Sequence, residues 1–167
     1  QALLGQGVTE RWFTPVVQGF VQVQELSIQG SSQRPLLLLV ARRSRRHAGT
    51  RYNARGLDDD AEAANWVESE TLIMLPGSKD RWFSLVQVRG SAPVFWEQKS
   101  STSGVTLTRG PKLVALGFQK HQADLRDDYG DVFLVNLLSK SASKRDTEGL
   151  LAEALGQQSR LHGQDFA

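Results

Sequence analysis

Cysteine is missing altogether from the 167 residues. Its absence excludes disulfides, zinc–thiolate sites and a cysteine nucleophile within them, and it agrees with a cytoplasmic setting. Long hydrophobic runs are missing too. The longest, Leu36–Ala41, suits a fully buried strand, whereas a membrane-spanning helix needs about 20 apolar residues. Neither sign of charge dominates: 20 Lys and Arg against 18 Asp and Glu leave +2. Any site for a polyanion has to come from local clustering. With 40% hydrophobic and 23% charged residues, the composition is that of an ordinary globular chain and excludes wholesale disorder, collagen and coiled coil. No internal repeat and no phosphate-cradling glycine loop of the nucleotide-binding kind is present. The chain opens at Gln1, carries no secretion-signal pattern and closes on Phe166 and Ala167 without a polar tail. It reads as a piece of something longer.

Residue periodicity supplies the elements. In Phe20–Ile28, Val21 and Val23 alternate with Gln22 and Gln24, the pattern of a half-buried strand, and Gly30, Ser31 and Ser32 then form a turn. Leu36–Ala41 reads as a buried strand running into arginines. Thr50–Arg55 and Ala64–Met74 read as strands separated by the turn chemistry of Gly56–Asp60. Pro76 and Gly77 end the second. Trp82–Arg89 is a further strand, broken at Gly90, Ser91 and Pro93 before Val94–Trp96, and Gly104–Thr108 is a short one. The period then changes. Phe118, His121, Leu125 and Tyr129 share a helical stripe that Gly130 stops. Asp131–Leu138 is again strand-like and buried. Asp146 or Thr147 caps a final helix carrying Leu150, Leu151, Ala154 and Leu155. A mostly β front and a helix–strand–helix back predict an α+β fold, divided near 56–64 or 99–111.

The densest chemical signal is Arg42, Arg43, Arg45, Arg46, Arg51 and Arg55, with no acidic residue between the first and the last. A guanidinium offers a planar fork matched to phosphate oxygens, and near an anionic bilayer each cation contributes about 1 kcal/mol. The alternative is equally concrete. Asp58, Asp59, Asp60, Glu62, Glu68 and Glu70 follow, and the two sets can pair across strands for little gain. Arg89 ends a strand before Gly90 and Ser91, where it either anchors a turn or holds an anion. His121, alone on an apolar stripe, is a hydrogen-bonded core residue rather than a ligand or base. His162 has no partner in view. Glu68 and Glu97 are possible acids or bases without a readable pairing. Asp58–Asp60 lack the spacing of a calcium loop, so no metal site is expected. Nucleic acid is not an expected partner, because only Tyr52 and Trp66 lie among the arginines to stack on bases.

Several motifs together resemble the Sac-domain phosphoinositide phosphatases, their synaptojanin-like group and its fungal members above all. Ala48-Gly49-Thr50-Arg51-Tyr52-Asn53-Ala54-Arg55-Gly56, then Ala64-Asn65-Trp66-Val67-Glu68-Ser69-Glu70, is similar to that family's central signature. Val86-Gln87-Val88-Arg89-Gly90-Ser91-Ala92-Pro93-Val94-Phe95-Trp96-Glu97-Gln98 is similar to its Arg-Gly-Ser-x-Pro-x-Phe-Trp-Glu-Gln block. Pro15–Val21, Tyr129-Gly130 and Val135–Leu138 resemble the flanking blocks, in the same order. There are departures. His47 replaces the family's usual Arg, Ala61 a common turn glycine, Gln122 a common aromatic after the helix histidine, and Asp128 a frequent apolar residue.

The resemblance implies a partial Sac domain. Residues 1 to about 60 would end its β-rich N-terminal subdomain, and about 61–167 would open the α+β catalytic subdomain. The whole enzyme would remove phosphate from phosphatidylinositol phosphates, without a cofactor, using a loop in which Cys is followed after five residues by Arg. That loop is not in this chain, so the chain alone would be inactive. Arg89, Arg51, Arg55 and His121 are the candidates for holding phosphate, and Arg42, Arg43, Arg45 and Arg46 for a membrane-facing patch. The partners implied are anionic phosphoinositide lipids, a membrane surface and the remainder of the domain, in a cytoplasmic, peripheral setting. The alternative is an inactive Sac module that binds anionic lipid or a protein.

Overall fold

A computed structural model describes residues 18–44, 55–77, 81–99, 103–138 and 147–162. It is mixed α+β. The chain divides into two units, which are not consecutive halves. One unit runs to Arg43 and takes in Glu68–Gln87, and the other comprises Ser44–Val67 and Val88 onward.

The first unit is built on a four-stranded antiparallel sheet. Its strands β1 (Gly19–Glu25), β2 (Leu36–Arg43), β3 (Val67–Met74) and β4 (Trp82–Arg89) pair in chain order. The β1–β2 register sets Val21 opposite Val40 and Val23 opposite Leu38 on one face, and Phe20 opposite Ala41 on the other. β1 stops at Glu25 rather than Ile28, because the ladder gives way to a turn in which the Leu26 N–H donates to Pro35 O at 2.8 Å and Ser31 N–H to Ile28 O at 3.1 Å. β3 starts at Val67 rather than Ala64, because Asn65 sits at φ 57°, a turn conformation that Asn tolerates and a strand excludes. The expectation of a fully buried strand at Leu36–Ala41 is corrected: all six residues are half-buried, and the next, Arg42, is exposed. Among the described residues this unit has a single layer. Phe20, Val21 and Val23 on β1 and Trp82, Phe83, Leu85 and Val86 on β4 are accordingly exposed.

The second unit has a core. Strands β5 (Trp96–Glu97) and β6 (Thr106–Leu107) form a small antiparallel pair, and helices α1 (Pro111–Tyr129) and α2 (Thr147–His162) follow. The start of α1 is set by Gly110 in extended conformation and Pro111 at the first helical position, where proline's missing N–H costs nothing. Its buried stripe is Val114, Gly117, Phe118, His121, Gln122 and Leu125, and it ends with Gly130 N–H donating to Arg126 O at 2.8 Å. Leu57, Ala63, Val94, Phe95, Val114, Phe118, Leu151, Ala154 and Leu155 make one apolar cluster. Phe118, fully enclosed, stabilises it by about 2–3 kcal/mol through burial.

Three expectations fall differently. Thr50–Ala54 and Asp146 lie outside the described residues. Gly104–Thr108 contracts to the two residues of β6. Asp131–Leu138 forms no strand, because no other strand lies beside it among the described residues. Among those residues no helix is long and apolar enough to cross a membrane.

Candidate functional site

The second unit brings two stretches together: residues 55–67, and the segment after β4. Gly56 adopts φ 66°, and a Cβ there would lie 2.3 Å from Val94 O and 2.6 Å from the Trp96 ring. Only glycine allows that approach. Leu57 N–H donates to Val94 O at 3.0 Å, Ala64 N–H to Gly56 O at 2.9 Å, and Ser91 N–H to Ala64 O at 2.8 Å. Asn65 Nδ2 reaches Ser91 Oγ at 3.3 Å. Trp66 lies against Gly90, where an added Cβ would meet its ring at 2.6 Å. Trp96 is fixed by its Nε1–H on Ala92 O at 3.2 Å.

Helix α1 fastens the turn within residues 55–67. Lys120 Nζ donates to Asp60 O at 2.8 Å, and His121 Nδ1 lies 3.1 Å from Ala61 O. A carbonyl only accepts, so the His121 proton sits on Nδ1. The ring stands edge-on to Trp66 with centroids 5.5 Å apart. Burial lowers the His121 pKa from its ordinary value, against the opposing effect of the Ala61 hydrogen bond. The hydrogen bond to Asp124 (2.8 Å) raises that of Lys120. Asp58 Oδ1 accepts from Asp60 N–H at 3.0 Å and Glu62 N–H at 2.9 Å, so the acidic turn caps its own backbone. Asp59 pairs with Arg109 at 3.1 Å. No group of three or more His, Asp or Glu side chains fit to hold a metal is found among the described residues. A groove of about 400 Å³ opens beside α1, floored by Ala61, Phe95 and Gly117, with Leu113, Leu116, Arg109 and Lys120 around it. Asp59 of the acidic set lines it as well, but none of the phosphate-holding candidates does.

The candidate residues separate. Arg89 is exposed at the end of β4, and its side chain makes no hydrogen bond or ion pair among the described residues. Arg55 is half-buried, its guanidinium 5.8 Å from the centroid of the Trp96 ring. His121 is buried, edge-on to the Trp66 ring that also lies against Gly90. Arg89, Arg55 and His121 therefore all belong to the tryptophan-centred unit, whereas Arg42 and Arg43 belong to the sheet. Arg42 takes the paired alternative: it bonds Glu68, and Glu70 at 3.4 Å, while Ser84 Oγ donates to Glu70 at 2.9 Å. Arg43, the next residue along β2, points to the other face by strand alternation. Arg45, Arg46, His47 and Arg51 lie outside the described residues. Sequence reasoning missed Lys120 and Arg109, although the Lys120–Asp124 spacing of four was a readable helical pair.

The sequence profile of the SacI homology domain matches residues 2–164. The chain belongs to that family. It is 36% identical over 154 residues to inositol-1,4,5-trisphosphate 5-phosphatase 1 of Schizosaccharomyces pombe, covering 90% of this chain and 14% of that protein. It is 34% identical over 160 residues to a polyphosphatidylinositol phosphatase of Saccharomyces cerevisiae, covering 92% and 14%. To synaptojanin-1 of Rattus norvegicus it is 35% identical over 159 residues, covering 93% and 9%. The chain thus spans about a seventh or less of the length of these relatives.

Within this SacI homology domain, the two signature blocks are the stretches that pack on each other through Gly56, Trp66, Gly90 and Trp96. Two departures from the pattern also acquire a physical meaning. Ala61, in place of a common turn glycine, stands at φ 62°, a conformation held by Lys120 and His121 on the flanking carbonyls. Gln122, in place of a common aromatic, is buried, and both its amide atoms lack a hydrogen-bond partner among the described residues.

Proposed function

We propose that this domain is part of a Sac-type phosphatase that removes phosphate from phosphatidylinositol phosphates, and that it supplies headgroup contacts rather than the nucleophile. These residues contain no cysteine, so thiolate attack on phosphorus requires a loop elsewhere in the polypeptide. The observation that carries the reading is Arg89. It is an exposed guanidinium without a hydrogen bond or ion pair among the described residues, on a strand end whose neighbour Gly90 is pinned against Trp66. A fork of donors held on a rigid base suits a phosphate. Arg55 on Trp96 belongs to the same surface chemistry. The lipid substrate puts the protein at the cytoplasmic side of membranes as a peripheral protein, with the basic stretch Arg43–Arg46 facing anionic lipid.

The test is Arg89→Lys in the full-length polypeptide, with phosphate release from short-chain phosphoinositides as the readout. Loss of the bidentate contact lowers turnover or raises KM while Tm holds. A fall in Tm with activity tracking folded protein makes Arg89 a turn anchor, and wild-type behaviour in both removes it from the site. The purified 167-residue chain is expected to release no phosphate. Should the full-length protein release none either while still sedimenting with anionic vesicles, the domain is an inactive lipid-binding module.

A further inference from the structure

Residues 131–138, between α1 and α2, belong to no helix or strand and pair with no other segment among the described residues. Their exposure alternates at every step: Asp131, Phe133, Val135 and Leu137 are exposed, and Val132, Leu134, Asn136 and Leu138 are half-buried. That is the period of a β-strand. Leu134 and Leu138 pack on the core of this unit. The opposite side is apolar as well, with Phe133 75%, Val135 59% and Leu137 90% exposed. Among the described residues the one hydrogen bond in the stretch is local, from Leu138 N–H to Asn136 Oδ1 at 3.0 Å. A nearly continuous apolar run is the composition of a strand inside a sheet covered on both faces. An unpaired backbone between apolar side chains is a template for another strand.

We propose that residues 131–138 are an acceptor strand, completed by a β-strand of the same polypeptide from outside these 167 residues, and that an apolar layer closes over Phe133, Val135 and Leu137. The relatives are at least seven times longer than the stretch matched here, since it makes up 14% or 9% of them, so chain for both is at hand. A second copy fits less well. Edge-to-edge pairing of two such strands satisfies the backbone but leaves the three outer side chains in water. A folded remainder of the polypeptide satisfies both needs. The inference does not rest on the phosphatase reading.

Hydrogen–deuterium exchange on the full-length protein tests it. Amides of Val132–Leu137 are expected to exchange as slowly as those of α1, and to stay protected on tenfold dilution. Rapid exchange overturns the proposal. Protection lost on dilution assigns the edge to a second copy and also overturns it. In the full-length protein Leu137→Asn is expected to lower Tm by several degrees, because the side chain is then buried, and an unchanged Tm counts against the covering layer. The exchange measurement needs no variant, so a variant that fails to fold leaves the proposal testable.

Discussion

Replacing Gly56 by alanine strains the contact between the two signature blocks at its tightest point. The new Cβ has to occupy a position 2.3 Å from Val94 O and 2.6 Å from the Trp96 ring, at φ 66°. That oxygen already accepts Leu57 N–H at 3.0 Å, so it cannot retreat without giving up the bond. The left-handed conformation costs about 1–2 kcal/mol for a residue with a Cβ. The lost hydrogen bond costs about 1 kcal/mol, and displacing packed atoms about 1–3 kcal/mol. The sum is about 3–6 kcal/mol, which at roughly 2–4 °C per kcal/mol for a chain of this size lowers Tm by on the order of 10 °C. The assay is urea unfolding followed by tryptophan fluorescence, with Trp96 beside the perturbation. Gly56→Asn separates the causes, because asparagine tolerates positive φ but carries the same Cβ. It recovers about 1 kcal/mol and stays clearly destabilised. Wild-type stability for Gly56→Asn would refute the contact argument and leave only backbone conformation.

Three further outcomes follow from the same geometry. Arg42→Ala costs about 0.5–1 kcal/mol, since Arg42 is 44% exposed in its pairs with Glu68 and Glu70 and exposed pairs are weak; the difference in denaturation midpoint shrinks in high salt, and a salt-independent loss contradicts this. Burial holds the folded His121 pKa below its ordinary 6.5, so its stability is complete above that pH and is lost as pH falls toward the folded value, by at most about 1.4 kcal/mol per pH unit. His121→Asn flattens the stability–pH curve below pH 6.5, and parallel curves for the two proteins refute it. Gln122→Met raises stability by about 1 kcal/mol, since it removes a buried amide that has no partner among the described residues and whose desolvation goes uncompensated; a lower Tm shows that the amide is in fact bonded.

Local periodicity carried much of the fold. The strand read at Trp82–Arg89 is β4 itself, Pro76 and Gly77 close the hairpin before it, and Phe118, His121 and Leu125 are buried along α1. What periodicity reports is a need for cover, not whether cover is present. Leu36–Ala41 and Asp131–Leu138 were both read as buried strands, and both lack layers or neighbours among the described residues. The family blocks pointed to the stretches that form the site, but not to its construction. Gly90 on Trp66 joins residues 24 positions apart, and Lys120 and His121 each reach 60 residues back along the chain. Nothing in either segment alone encodes those distances. The arginine cluster shows the same limit from the electrostatic side. Six cations in one stretch looked like one patch, yet Arg42 is committed to two glutamates of β3, and its neighbour Arg43 faces away.

The 60-residue reach between α1 and the Asp60 and Ala61 carbonyls bears on how the protein is born. A ribosome adding about 5–20 residues per second makes this turn roughly 3–12 seconds before the lysine and histidine that fasten it. During that interval Ala61 has no reason to hold a positive φ, and the turn samples other shapes. Its native form is therefore imposed late, by the arrival of a helix, and a nascent chain paused between the turn and α1 would present both signature blocks in sequence but not yet joined in their native geometry.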